Sequence, residues 1–205
     1  MSRNYNLLVL GLFHALQLSS QSVDTISLND STYQVIQIDS FLYYKTVATY
    51  QHDVLDGPFT KYSVGPRYDR VLFLGNYSNG RLSGPQIEYT IFGEIISEQN
   101  YVDGRLLGTS KTYWSDGNPC WVMSYGLNGL DGISRFYTKK GVLFLVEYYE
   151  NGVYRRGDFI DKRKMIVASV IADAKGEPVK KVYFNRFGEV ERVVEDRTMI
   201  DTRKL

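Results

Sequence analysis

The sequence predicts an all-β protein, an elongated single-layer antiparallel meander built of repeated β-hairpins. Three observations lead to this prediction: a tyrosine that recurs every twelve residues, glycines that recur every twenty-four, and a composition unsuited to helices. The 205 residues include five alanines against 18 glycines and 17 tyrosines. Because alanine favours helices and tyrosine favours strands, a helical fold is not expected. The hydrophobic content of 43% excludes a disordered chain.

The tyrosine repeat is the strongest signal in the chain. Seven tyrosines follow one another at intervals of twelve without a gap: Tyr77, Tyr89, Tyr101, Tyr113, Tyr125, Tyr137 and Tyr149. Glycines recur at twice that interval: Gly84, Gly108 and Gly132, and again Gly93, Gly117 and Gly141. Self-similarity at a fixed period indicates a repeat protein, here with a unit of twenty-four residues.

The turn residues indicate what each repeat folds into. Asn79-Gly80, Asp103-Gly104 and Asn151-Gly152 accept positive φ and close tight two-residue hairpins. Asp116-Gly117 and Lys140-Gly141 mark the turns at the other end of the strands. Strands of about seven to nine residues then leave no room for crossover helices, so each repeat is one hairpin of an antiparallel meander.

The register can be counted from the turns. If the loop around Gly93 is tight, Tyr101 folds back beside Gly84, and we expect its ring to lie across that glycine. The same count pairs Tyr125 with Gly108 and Tyr149 with Gly132. Neither face of these strands is apolar throughout, which predicts aromatic rows on one face of a thin sheet and a partly solvated second face.

Residues 1–22 have the pattern of a secretory signal peptide. Arg3 supplies the positive charge, Leu7 to Leu18 the apolar run, and Ser20-Gln21-Ser22 the small residues for cleavage before Val23. The run is too short for a transmembrane helix, so no membrane span is expected after cleavage. A buried N-terminal strand or helix is the alternative. No cysteine stands directly after the run, so the prediction is a secreted or periplasmic protein that is not a lipoprotein.

The remaining chain divides into three parts by its pattern. Residues 23–49 are predicted to be N-terminal capping strands, residues 50–157 the repeat array, and residues 158–205 C-terminal capping hairpins and a tail. Terminal units of an array differ from the others because an open strand edge invites pairing with another chain. Such edges also offer a route to homo-oligomers.

Charge and cysteine content limit the partners and cofactors. Without residues 1–22 the chain has 23 basic and 23 acidic residues, which predicts no binding to nucleic acid and no basic cluster for anionic lipid head groups. Cys120 is the only cysteine, and His14 and His52 are the only histidines. An intramolecular disulfide and a zinc cluster are therefore excluded, and no metal or cofactor is expected.

The repeat resembles a known family. Tyr101-Val-Asp-Gly-Arg-Leu-Leu-Gly108 followed by Tyr113-Trp-Ser-Asp-Gly117 is similar to the MORN repeat in its bacterial variant, aromatic-x-Asn/Asp-Gly-x-Leu-x-Gly. The resemblance covers residues 50–157; the period is one residue longer than usual, and Ser110 replaces a second-strand glycine. It implies a non-enzymatic, elongated single-layer sheet used for protein interaction or assembly. Some bacterial variants are labelled antitoxins, which an export signal does not favour.

These observations predict an exported non-catalytic scaffold that binds a protein partner in the cell envelope. No nucleophile elbow, phosphate loop or metal spacing is present in the sequence, so no catalytic residue is assigned. The candidate binding row consists of the seven twelve-residue tyrosines together with Trp114 and Trp121. The alternative is a glycan-binding or cell-wall-binding module whose tyrosine rows stack on sugar rings, unless those rings merely cover the glycines of the sheet.

Overall fold

The computed structural model describes residues 21–39, 42–65 and 69–195, and all of this chain is strand, turn or loop. The strands are β1 Gln21–Ser27, β2 Thr32–Asp39, β3 Tyr44–Gln51, β4 Val54–Ser63, β5 Arg70–Ser78, β6 Arg81–Leu82, β7 Gly84–Tyr89, β8 Ile95–Val102, β9 Arg105–Leu106, β10 Gly108–Tyr113, β11 Pro119–Gly126, β12 Gly129–Leu130, β13 Gly132–Tyr137, β14 Leu143–Glu150, β15 Val153–Ile160, β16 Ile166–Ala172, β17 Pro178–Phe184 and β18 Val190–Val194. The predicted signal peptide lies outside the described residues, except for the last two of its residues, which begin β1.

The eighteen strands form one antiparallel sheet. The strands pair in chain order from β1 to β18, so the predicted all-β meander of hairpins is confirmed. The two-residue strand β6 pairs with β5, as β7 does; β9 pairs with β8, as β10 does; and β12 pairs with β11, as β13 does. Each two-residue strand therefore lies in the same row of the sheet as the strand that follows it. The described residues contain no helix of the length and hydropathy needed to cross a bilayer.

One long edge of the sheet holds tight turns. Asn79-Gly80, Asp103-Gly104 and Asn151-Gly152 have positive φ at both residues, as predicted from their sequence. His52-Asp53 has the same conformation without a glycine. Successive turns along this tight-turn edge are joined by hydrogen bonds, since the Gly104 N–H donates to the Leu82 carbonyl at 2.8 Å.

The opposite edge holds wider loops of one design. In the loop 90–94 the Gly93 N–H donates to the Thr90 carbonyl at 3.0 Å, and the Thr90 N–H donates to the Glu94 carbonyl at 2.8 Å. The loops 114–118, 138–142, 161–165 and 185–189 on the same side repeat both bonds, and so does the loop 173–177 at the tight-turn edge. Glycine takes the left-handed position in every one of these loops except 161–165, where Lys164 takes it at φ 65°. We call this side the wide-loop edge.

The predicted register between tyrosines and glycines is confirmed. Tyr101 pairs with Gly84, Tyr125 with Gly108, and Tyr149 with Gly132. The reason for the glycines is different from the predicted one, because a Cβ on Gly84 or Gly108 would meet no atom within 4 Å. These glycines have φ of 82° and 83° and belong to bulges, so the backbone conformation requires them rather than the room for a ring.

The apolar core lies at the C-terminal end of the sheet. Five hydrophobic side chains are buried: Ala48, Val146, Ala168, Val170 and Val182. Four of them belong to β14–β17. In β7–β13 the buried side chains are polar instead: Gln86, Ser97, Ser110 and Ser134. A single layer therefore holds its array with few buried apolar groups, and its faces carry half-buried side chains.

Candidate interaction surfaces

The seven tyrosines of the repeat lie in two rows on opposite faces. Tyr77, Tyr101, Tyr125 and Tyr149 each pair with a glycine of the preceding strand and share one face, here called the tyrosine face. Tyr113 lies five residues after Gly108 on the same strand, an odd separation, so it points to the opposite face with Tyr89 and Tyr137. This opposite side is the reverse face. The candidate row is thus divided rather than continuous.

On the tyrosine face the phenol groups bind side chains of their own strands. The Tyr101 hydroxyl donates to Gln99 Oε1 at 3.0 Å, and the Tyr149 hydroxyl donates to Glu147 Oε2 at 2.9 Å. Tyr125 makes the equivalent contact with the Met123 sulfur at 3.7 Å. Burial raises the pKa of Tyr101 and Tyr149, the second also through Glu147. Each ring is therefore held in place by the sheet and stays protonated at neutral pH.

Small buried residues lie between these larger groups. Ser110 is paired with Met123 and Ser134 with Glu147, and both serines are shielded from solvent. Neither Ser110 Oγ nor Ser134 Oγ has a hydrogen-bond partner, and the same is true of Gln86 Nε2. Unsatisfied buried hydroxyls reduce stability. The serines instead supply space, which lets the longer neighbouring side chains close over the sheet.

Trp121 is the most exposed ring of the candidate row. It lies on the tyrosine face, an even number of residues from Tyr125, and 45% of its surface is exposed. Phe136, its partner on β13, contacts it edge to face at 5.5 Å between ring centres. Trp114 lies apart at the wide-loop edge, where its Nε1–H donates to the Tyr137 carbonyl at 3.1 Å. The two tryptophans therefore do not form one site.

Glu147 is a half-buried carboxyl at the C-terminal end of the tyrosine face. Burial raises its pKa, and the hydrogen bond from Tyr149 partly opposes that shift. The ring of Tyr149 meets that of Tyr154 edge to face at 5.5 Å. The Tyr154 hydroxyl lies over Gly157, where a Cβ would approach it to 2.5 Å. Two phenols and the Glu147 carboxyl are thus packed together, and burial, Glu147 and the second negative charge of Asp158 raise the pKa of Tyr154.

The reverse face combines charged and apolar side chains. The Tyr113 hydroxyl donates to Glu98 Oε2 at 2.9 Å, and burial together with this bond raises the pKa of Tyr113 to about 12. Ile133 and Leu74 are more than one-third exposed on this face. A shallow depression of about 370 Å³ is lined by Arg70, Val71, Leu74, Tyr89 and Gly93.

The remaining chemically reactive side chains are dispersed. In the described part of the chain no three His, Cys, Asp or Glu side chains lie close enough to hold a metal ion. Cys120 is half-buried in β11, and burial raises the pKa of its thiol. Asp158 is buried and accepts hydrogen bonds of 2.6 Å from Arg156 Nε and from the Ser169 hydroxyl.

Charge is separated along the chain, a feature that was not predicted from the sequence. Residues 21–134 contain seven basic and twelve acidic residues, whereas residues 135–205 contain sixteen basic and eleven acidic residues. The meander places the loops 138–142, 161–165 and 185–189 at the same wide-loop edge. The expectation that no basic cluster exists does not hold there. Counting charge in each half of the sequence would have revealed the imbalance, which the net charge of the whole chain conceals.

Comparisons with known proteins do not assign a family. No family model matches the chain, and no curated protein matches it. Among solved structures the chain is similar to a mutant of TarM from S. aureus in complex with fondaparinux, alpha-GlcNAc-glycerol and UDP, at 12% identity and a TM-score of 0.38 over 44% of this chain and 18% of that one.

Two further structures show the same level of similarity. The crystal structure of TarM has 12% identity and a TM-score of 0.34, over 44% of this chain and 20% of that one. A complex of the glycosylation-associated protein Gap123 from Streptococcus agalactiae has 11% identity and a TM-score of 0.32, over 51% of this chain and 19% of that one. This chain therefore spans about a fifth of the length of each, and the similarity assigns no activity.

Proposed function

We propose that this protein is an exported, non-catalytic repeat protein that acts as a protein-interaction scaffold in the cell envelope, and that its tyrosine face binds the partner. One observation supports the proposal most directly. Among the described residues no second layer lies over the sheet, although the tyrosine face carries a strip of aromatic rings with Trp121 exposed at its centre. Aromatic side chains provide most of the binding energy in many protein interfaces.

The rings are also prepared for binding by the sheet itself. Hydrogen bonds from Tyr101 and Tyr149 to side chains of their own strands, and the contact of Trp121 with Phe136, fix the rings before a partner arrives. A surface that is already ordered loses less conformational entropy on association. Trp121, at 45% exposure, retains enough free surface to enter a pocket of the partner.

Site-specific photo-crosslinking tests which face is used. We expect a photoreactive residue in place of Trp121 to capture one discrete protein from envelope fractions, and Trp121→Ala to weaken its co-purification by about tenfold or more. Ile133 is the matched control, because it has 39% exposure on the reverse face and its removal leaves the tyrosine face intact. Equal capture from both positions, or capture of the chain alone, contradicts the proposal.

The export part of the proposal has its own test. N-terminal sequencing of the protein recovered from culture supernatant or periplasm should begin at Val23 if residues 1–22 are a signal peptide. An intact Met1 in the cytoplasmic fraction contradicts export. A glycan array tests the alternative: sugar binding lost in Trp121→Ala, without a captured protein, would replace the protein partner with a glycan.

A further inference from the structure

Six cations lie along the C-terminal end of the wide-loop edge. They belong to three loops of the same design and are called the basic edge: Lys139, Lys140, Lys162, Arg163, Lys164 and Arg186. All six are exposed. Of these six cations only Arg163 forms an ion pair with another described residue, namely with Asp161 at 2.7 Å. Five cations therefore face solvent without a carboxylate partner.

The carboxylates near this edge are already engaged by their own loops. Asp161 accepts hydrogen bonds from Arg163 and Met165, which together lower its pKa. Glu189 accepts one from Asn185 Nδ2 at 2.9 Å. The three loops hold six basic and two acidic side chains, so their net charge is strongly positive. Such an edge attracts an anion of matching shape.

Lys164 occupies a backbone position that favours glycine. It occupies the left-handed position of its loop at φ 65°, where the corresponding loops have Gly93, Gly117, Gly141 and Gly188. A side chain in this conformation is strained, and glycine would relieve the strain. A strained lysine at a position where the corresponding loops have glycine suggests that the charge of this lysine has a role.

We propose that the basic edge binds a linear acidic polysaccharide carrying carboxylate or sulfate groups. The three loops are two rows apart, so their charges recur about every 10 Å along a line. An extended polysaccharide with one anion per disaccharide has a similar repeat, whereas the phosphates of each strand of duplex DNA recur at about 3.4 Å along the helix axis. A bilayer presents a plane of charged head groups, and a single line of loops could contact only a narrow strip of that plane.

The type of cation fits the same ligand. Four of the six are lysines, which are hydrated point charges rather than planar forks, and they suit binding driven by charge and counterion release. Phe187 is exposed beside Arg186 and offers a ring for stacking against a sugar. This edge is distinct from the tyrosine face, so the inference goes beyond the proposed protein scaffold.

Calorimetric titration of the full chain with hyaluronan, which has one carboxylate per disaccharide, and with dextran sulfate substituted to the same charge density tests the proposal, with uncharged dextran as the reference. We expect both acidic polymers to bind and their affinity to fall linearly with salt on a log–log scale. The triple variant K139Q/K140Q/K162Q should lose at least about tenfold in affinity and show a shallower salt dependence. Binding of one acidic polymer alone identifies sulfate or carboxylate as the recognised group.

A matched triple variant provides the control. R81Q/R105Q/K175Q removes the same charge from exposed cations at the tight-turn edge and should leave the affinity unchanged. Lys164→Gly separates binding from folding, because we expect it to raise the melting temperature by relieving φ strain while it lowers the affinity for dextran sulfate.

Three outcomes would overturn the inference. Equal losses of affinity in the two triple variants would show that binding depends on the net charge of the protein and not on the basic edge. Salt-sensitive self-association in sedimentation velocity, abolished by K139Q/K140Q/K162Q and unaccompanied by polysaccharide binding, would show that the acidic half of a second copy occupies the edge. Stronger binding to vesicles of phosphatidylglycerol and phosphatidylcholine than to dextran sulfate would identify a membrane as the ligand.

Discussion

The hairpins β5–β13, called the array hairpins from here on, and the C-terminal hairpins β14–β18, which include the end of the predicted array, belong to one sheet but bury different chemistry. In the array the buried side chains include Ser110 and Ser134, whose hydroxyls have no hydrogen-bond partner. In the C-terminal hairpins Val170 and Val182 are buried, and the buried Asp158 accepts hydrogen bonds from two donors through Oδ1. The array thus depends on repetition, turns and ring contacts, and the C-terminal hairpins supply most of the apolar core.

Glycine has two different uses within the strands of this sheet. Gly108 in the array has φ 83° and empty space beyond it, so only its backbone conformation excludes a side chain. Gly157 in the C-terminal hairpins lacks that unusual φ but lies beneath the Tyr154 hydroxyl. Glycine thus forms a bulge at position 108 and admits a ring at position 157, and Gly75 of β5 likewise lies beneath the ring of Phe73.

The largest expected effect concerns the buried carboxylate. Asp158→Ala removes the acceptor for Ser169 and Arg156, and we expect it to lower the free energy of unfolding by about 3 kcal/mol, near the lower end for a buried pair because Arg156 is half exposed. Urea denaturation measures the change. Glu177→Ala, an exposed change near the adjoining loop, should stay within about 0.5 kcal/mol. Similar losses in both variants would contradict a localised core.

The two uses of glycine can be separated by a double mutant. Gly157→Ala should destabilise the protein by about 1–3 kcal/mol because of overpacking, and Tyr154→Phe in the same chain should recover part of that loss. Gly108→Ala should lower stability by about 1–2 kcal/mol through φ alone. Its loss should be the same with or without Tyr154→Phe; any rescue at position 108 would refute the distinction.

Two serine variants should change stability in opposite directions. Ser169→Ala deletes a hydroxyl that donates to Asp158 at 2.6 Å, so we expect a loss of about 1–2 kcal/mol. Ser110→Ala deletes a buried hydroxyl without a partner and should be neutral or stabilising by up to about 1 kcal/mol. Thermal unfolding of the pair at equal concentration checks the signs. A clear loss from Ser110→Ala would reveal a partner for its hydroxyl.

The smallest effect depends on pH at the boundary between the two regions. Burial raises the pKa of Glu147, so the folded state favours its protonated form, and ionisation reduces stability as the pH rises through the folded pKa. Glu147→Gln should therefore be slightly more stable than the natural chain near neutral pH, and this gain should vanish below about pH 4. Urea midpoints across that range give the measurement. A gain that persists in acid would exclude titration of Glu147 as its cause.

Much of the fold could be predicted because the residues at each turn determine its conformation locally. Asn79-Gly80 and Asp103-Gly104 have the conformation that their sequence indicates, and counting from such turns correctly paired Tyr101 with Gly84. Local rules suffice where each turn fixes the register of the next strand. The bulges were not foreseen, since a glycine within a strand has the same sequence whether it provides room or a left-handed φ.

The candidate surfaces were harder to predict than the fold. The twelve-residue spacing suggests one continuous row, yet Tyr113 and Tyr125 lie on opposite faces. Tyr125 pairs with Gly108, whereas Tyr113 lies an odd number of residues after Gly108 on the same strand and therefore points to the other side. The basic edge is invisible to local patterns as well. Lys140 and Lys162 are far apart in sequence terms, and only the alternation of the strands returns their loops to the same side of the sheet.

Two kinds of turn alternate along the array, one kind at each edge. Because of this alternation, the sheet can change its length in evolution by whole hairpins without moving any loop to the other edge. Duplication or deletion of a whole hairpin returns every later loop to its former side. Gain or loss of a single row would transfer all downstream loops to the other side, together with their cations. Gene duplications in units of two rows are therefore the changes that such a molecule can inherit without rearranging its surfaces.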